Sequence, residues 1–184
     1  MNRVWKPNVT VAALIEREGR FLLVEEETDG GLRFNQPAGH LDAGESLVAA
    51  CARETLEETA WSFTPTALVG IYLWPRPRPA AGPPQGGASV GLEQSEQASP
   101  PSPGRGPGGW QSENISYLRF AFCGELGEHE AGRVLDAGIL RAVWMTPDEI
   151  RAVAERHRSP LVWQCITDYL AGRRFPLELV RHYD

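Results

Sequence analysis

Gly39-His-Leu-Asp-Ala-Gly-Glu45, then seven residues, then Arg53-Glu54-Thr-Leu-Glu57-Glu58-Thr-Ala60-Trp61 is the stretch that decides how this chain folds and what chemistry it carries. Glu54, Glu57 and Glu58 stand at i, i+3 and i+4, so a helix through them projects three carboxylates toward a common region. Like charges this close repel, and leaving them together without a partner costs stability. A hard divalent cation resolves the conflict: Mg²⁺, or Mn²⁺, takes oxygen ligands, keeps some waters and is commonly shared with substrate phosphates. Arg53, one turn before Glu57, is placed to hold that carboxylate in a fixed orientation. Gly39 and Gly44 let the preceding loop turn sharply and bring backbone carbonyls close to the cation. The competing reading is a solvated acidic helix face with ordinary ion pairs. The full spacing from Gly39 to Glu58 favours the metal site over that reading.

Working outward, Ser46 is a side-chain cap for a helix running to about Thr59, in which Val48, Cys51, Ala52 and Thr55 share one apolar face. Upstream, Val9 to Ile15 and Arg20 to Glu26 are rich in Val, Ile and Leu around Glu18-Gly19, which predicts a hairpin. Leu32 to Gln36, Ala67 to Trp74, Ile115 to Leu126 and Leu140 to Met145 are the further strand candidates, and together they predict a mixed sheet. Thr146-Pro147-Asp148-Glu149 has the pattern of a capping box with proline at the first helical position. Ser159-Pro160 starts another helix, and Gly172 is placed to end it. The order of elements predicts an α+β protein, with a mixed β-sheet between helices in α/β/α layers.

The 184 residues fit one domain, and 42% hydrophobic with 23% charged residues are the proportions of a chain that folds. A formal charge of −6 disfavours a nucleic-acid polymer as partner, so a cation must supply the positive charge that phosphates need. Cys51, Cys123 and Cys165 are far apart and lack metal-binding spacing, which predicts reduced thiols and a cytoplasmic location. No apolar signal region opens the chain and no window reaches the length of a membrane span, so no membrane association is expected. Residues 75–114 break the globular composition with prolines and glycines and little apolar material, and they read as a mobile insertion within the single domain 1–184.

The decisive stretch resembles the Nudix box, G-x5-E-x7-R-E-U-x-E-E-x-G-U, where U is a bulky apolar residue. Gly39, Glu45, Arg53, Glu54, Glu57 and Glu58 match it. Thr55 replaces the first apolar residue, Ala60 stands where glycine is expected, and Trp61 is a large choice for the last position. Glycine at 60 would let the helix end with φ > 0, a conformation that alanine adopts only at a cost. Beyond the box, Lys6-Pro-Asn-Val-Thr-Val-Ala12, Asn35-Gln-Pro-Ala-Gly-His-Leu41, Leu118-Arg-Phe120, Trp144 with Pro147-Asp-Glu-Ile150, and Arg158-Ser-Pro-Leu-Val162 through Phe175-Pro-Leu-Glu178 are similar to the NudJ-type phosphatases of that family.

The resemblance implies a Nudix fold and a magnesium-dependent hydrolase of phosphoanhydride bonds in nucleoside di- and triphosphates and thiamine-type pyrophosphates. Its partner is then a small phosphorylated molecule, and its state a monomer or homodimer. The resemblance makes Glu54, Glu57 and Glu58 metal ligands, with the Ala38 carbonyl as backbone ligand and Glu54, Arg53 and Glu45 as the catalytic set. Glu54 is the first choice of base, with Glu113, Glu125 and Glu128 as alternatives. Two competing functions are a sugar-nucleotide or ADP-ribose pyrophosphatase and a binding module that keeps the fold without catalysis. Arg119 is a phosphate-binding candidate because an inward arginine needs an anion, and His40, beside the box glycine, is a second. Trp74, Tyr117, Phe120 and Phe122 are core residues or stacking platforms for a ring, with core the more common outcome for aromatics alternating in strands.

Overall fold

In the computed structural model, which describes residues 5–76 and 115–183, the strands sort into two sheets. The first contains β1 (Asn8–Leu14), β5 (Ala38–His40), β6 (Trp61–Arg76) and β7 (Ile115–His129), in the order β5-β1-β7-β6. It is mixed, because β1 and β7 run parallel while the other pairs are antiparallel. The second is antiparallel and centres on β3 (Arg20–Thr28), which pairs with β2 (Glu16–Arg17), β4 (Gly31–Asn35) and β8 (Ile139–Met145).

The expected mixed sheet is present, with an antiparallel sheet beside it, and the expected hairpin is corrected. Glu18 and Gly19 do make the turn, with φ of 54° and 74°, but the arms are the two-residue β2 and β3. The run from Val9 instead enters the mixed sheet between β5 and β7. Val11 to Leu14 are all buried, as a strand covered on both faces requires, and apolar patterning alone does not choose the partner of such a strand.

Helix α1 (Leu47–Thr59) begins at Ser46, whose Oγ accepts from the Ala49 N–H at 3.1 Å. Its buried stripe is Ala50, Cys51, Glu54, Thr55, Glu58 and Thr59, so Val48 and Ala52, expected to be inward, are only half-buried. Thr55 tolerates its apolar position because its hydroxyl donates to the Cys51 carbonyl at 2.8 Å. The helix ends at Ala60, in the left-handed region at φ 60°, its N–H donating to the Leu56 carbonyl.

Helix α2 (Pro147–Ala152) carries the capping box in full, between Thr146 and Glu149. Helix α3 (Leu161–Leu170) is followed by Gly172 at φ 77°. Two apolar cores form. One joins α1 to β1, β6 and β7 through Val11, Ile15, Cys51, Phe63 and Phe122, and the other joins α3 to the opposite side through Leu14, Ala121, Cys165 and Ile166. The fold class is α+β, helices flanking sheets. Most of the insertion expected at 75–114 lies outside the described residues; Pro75 and Arg76 continue β6, opposite Ser116 and Ile115.

Candidate active site

Strand β5 and helix α1 meet at the site, and the closeness of their contact explains the glycine at 39. A Cβ there would lie 2.0 Å from the Glu54 carboxyl carbon, so only glycine lets that side chain lie across the strand. Gly44, at φ 85°, makes the turn that returns the chain to the helix.

Arg53 ties the acidic groups together. Its Nη1 donates to Glu54 Oε1 and to Glu57 Oε2, both at 2.9 Å. Its Nε and Nη2 grip the two oxygens of Glu45 at 3.1 and 2.6 Å, and Nη2 also donates to the His40 carbonyl at 3.1 Å. Glu45 therefore works through Arg53, and the guanidinium holds its carboxyl below the usual carboxylate range.

Burial acts in the opposite direction on the inner carboxylates. It raises the pKa of Glu54, against the pull of Arg53, and pushes Glu58 up to about 8. Glu58 Oε2 accepts the Ala38 N–H at 2.8 Å. Residues 37, 39 and 41, in β5 and on either side of it, bond to β1, since Ala13 N–H donates to Pro37 and Leu41 N–H to Val9. Ala38 alternates with them, so its N–H and its carbonyl both face the free edge of β5, toward α1.

One group was not legible in the sequence. Carboxylate oxygens of Glu54, Glu57 and Asp136 lie within 4.8 Å of one another. Asp136 sits in the connection from β7 to β8, where its N–H donates to the Glu57 carbonyl at 3.1 Å. Its only sequence hint is a turn between Gly132 and Gly138, both at positive φ in the structure. Glu58 is not in this group of three. The donor set is all oxygen and strongly anionic, with Arg53 as the cation that pairs with it, and it fits a hard divalent cation rather than a softer metal.

The remaining expected residues divide. His40 is exposed beside the site. Arg119 is buried, 8% exposed, with Nη1 at 3.5 and 3.4 Å from the amide oxygens of Asn35 and Gln36, and burial lowers its pKa against the charges of Glu26 and Glu58. Glu125 and Glu128 are exposed on β7, and Glu113 lies outside the described residues. Phe122 is fully buried, Phe120 packs on the α1 core and Trp74 on the α3 core. Cys51 packs in the α1 core, where burial pushes its thiol well up, away from nucleophilic use.

Residues 5–164 match the family described as the NUDIX domain. The phosphatase NudJ of Escherichia coli (strain K12) is 33% identical over 181 residues, which span 98% of this chain and 95% of that protein. Among solved structures, a NUDIX hydrolase from Nitrosomonas europaea is 44% identical with a TM-score of 0.75, covering 97% of this chain and 98% of its own. A MutT protein from Methanosarcina mazei Go1 shares the fold at 18% identity and a TM-score of 0.59, with 93% and 99% covered. With Glu45, Glu54 and Glu57 of the box gathered around Arg53 and a family match over most of its length, the chain belongs to the Nudix hydrolases, enzymes of phosphoanhydride bonds, and is similar to the NudJ phosphatases.

Proposed function

We propose that this protein hydrolyses the terminal phosphoanhydride bond of nucleoside di- and triphosphates and thiamine-type pyrophosphates, with Mg²⁺ or Mn²⁺ as cofactor. The observation that carries this reading is the convergence of Glu54, Glu57 and Asp136 on one point beside the free edge of β5. Glu54, Glu57 and Asp136 would hold the cation, with the Ala38 carbonyl on the same edge and Glu58 behind it. When bound, the cation neutralises phosphate oxygens and the charge that develops as the phosphoanhydride bond breaks.

The chain's own groups do the rest. Arg53 fixes the orientation of Glu54 and Glu57, which removes reorganisation from the reaction. Water attacks phosphorus, its oxygen forms the new P–O bond, the bridging P–O bond breaks, and Glu54 takes the water's proton. Glu54 is held for that task by Arg53 and by its close packing against Gly39. The three cysteines are all free and buried, which supports a reducing, cytoplasmic setting.

The test is phosphate release from ADP, ATP and thiamine diphosphate, and formation of nucleoside monophosphate from a sugar nucleotide and ADP-ribose, each with Mg²⁺ and with EDTA. Metal-dependent release from the first three supports the proposal. Turnover confined to the sugar nucleotide or ADP-ribose replaces it with a diphosphatase acting on conjugates.

A further inference from the structure

A cavity of about 300 Å³ lies between the C-terminal end of α1, the start of β6, the connection from β7 to β8, and β8 itself. That volume is at the lower limit of small-molecule sites. Its lining includes the buried Leu22 and Ala60 and the half-buried indoles of Trp61 and Trp144. Glu45, Glu54, Glu57, Glu58 and Asp136 do not line it. The end of the helix leaves no open acceptor of its own there. The Glu57 and Ala60 carbonyls already accept the N–H groups of Asp136 and Glu130, at 3.1 and 2.8 Å, so backbone answers the negative end of α1.

The charge around the cavity is positive, in a chain of net charge −6. Arg133 and Arg141 line it, and the Arg17 guanidinium lies over both indoles, 4.5 Å from the ring centre of Trp144 and 5.3 Å from that of Trp61. Glu130, the acidic residue of the lining, is paired with Arg133 at 2.8 Å, and Arg141 Nε with Glu25 at 2.7 Å. Among the described residues no oxygen accepts from the Arg17 guanidinium, nor from the indole N–H of Trp61 or Trp144. Two flat apolar faces, two unused ring donors and a cation without an anion converge on one small cavity. Their complement is an aromatic acid: its ring packs on indole, and its carboxylate or phosphate takes the fork of a guanidinium.

We infer that this cavity binds a small planar aromatic molecule carrying one anionic group, its ring against Trp61 and Trp144 and its carboxylate or phosphate toward Arg17 and Arg133. The site is separate from the carboxylates of the box and stands independently of the hydrolase reading. The rival account is a basic rim that only complements the end of α1, and it calls for no binding that depends on a ring.

The experiment is isothermal titration calorimetry on the full chain, in EDTA so that no cation recruits the anion elsewhere. The probes are 2-naphthoate, 2-naphthyl phosphate, 2-naphthamide, which has the ring without the charge, and decahydro-2-naphthoate, which has the charge without the aromatic ring. One of the two naphthyl anions is expected to bind one-to-one with a Kd below about 1 mM, and the tighter of them identifies the anion. Both controls are expected to bind at least about tenfold more weakly. Arg17→Gln and Arg133→Gln each weaken the anion about 3- to 10-fold and leave 2-naphthamide unchanged, a split that a merely structural role would not produce. Trp61→Leu weakens every aromatic probe about 3- to 10-fold. Arg17 and Arg133 are exposed, so their variants decide the matter even where Trp61→Leu fails to fold. No heat from either naphthyl anion at millimolar concentration, equal affinity for either control, or wild-type affinity in both arginine variants overturns the site.

Discussion

The backbone N–H of Asp136 donates to the carbonyl of Glu57 at 3.1 Å, a bond between residues 79 positions apart that brings the connection from β7 to β8 onto the box helix. That bond fixes where residue 136 lies, and the group of three carboxylates depends on it as much as on the box itself.

Glu57→Gln is expected to cut turnover by roughly two orders of magnitude, because it removes a charged oxygen donor and breaks the Arg53 ion pair. Asp136→Asn is expected to cost about tenfold or more while preserving the backbone bond to Glu57. Steady-state kinetics at saturating Mg²⁺ checks both, and wild-type turnover in Asp136→Asn would remove Asp136 from the site.

Mg²⁺ is expected to raise the melting temperature, since it binds carboxylates that only the folded chain assembles. At a concentration 100 times its Kd the gain is about 2.7 kcal/mol. Differential scanning fluorimetry with Mg²⁺ and then EDTA measures it. The same shift in Glu57→Gln as in wild type would place the bound cation elsewhere.

Gly39→Ala separates position from stability. The new methyl group meets the end of the Glu54 side chain rather than backbone, so the fold survives by moving that carboxyl. Thermal unfolding is expected to change little while kcat falls about 10- to 100-fold. A variant that unfolds but retains its specific activity would contradict the assignment.

At Ala60 the left-handed strain of about 1–2 kcal/mol is offset, in Ala60→Gly, by lost methyl burial and greater unfolded-state entropy. Ala60→Gly is therefore expected to be close to neutral in denaturant unfolding, and Ala60→Val to be destabilising, since a β-branched residue resists φ of 60°. Equal midpoints for the two variants would refute this account.

Glu25 sets the acid limb of stability. Its carboxylate, 5% exposed, accepts from Arg141 Nε at 2.7 Å and from Arg156, and the hydrogen bond to Arg141 above all lowers its pKa against burial. A folded pKa below the unfolded one means that the stabilisation is complete above about pH 4.5 and is lost as pH falls through the folded value. Glu25→Gln is expected to cost about 1–2 kcal/mol at pH 7, since both arginines remain partly solvated, and to flatten the fall in stability below about pH 4.5. Chemical denaturation from pH 3 to 7 measures the slopes, and parallel curves would exclude Glu25 as its source.

The sequence by itself determined whatever depends on near neighbours. Ser46 and Thr146 mark their helices because a cap bonds only two or three residues along the chain, and Gly39 to Glu58 spells the site because one helix and its entry loop present it. Tertiary structure decided the rest. It sent the Val9 run to β5 and β7 rather than to its neighbour across the turn, because an apolar strand fits any interior position and only packing selects one. It buried Arg119 against the amide oxygens of Asn35 and Gln36, from strands and loops 83 and 84 positions away. It brought Asp136 to Glu57 through a backbone bond that any residue type can make, and which therefore leaves no mark in the order of side chains.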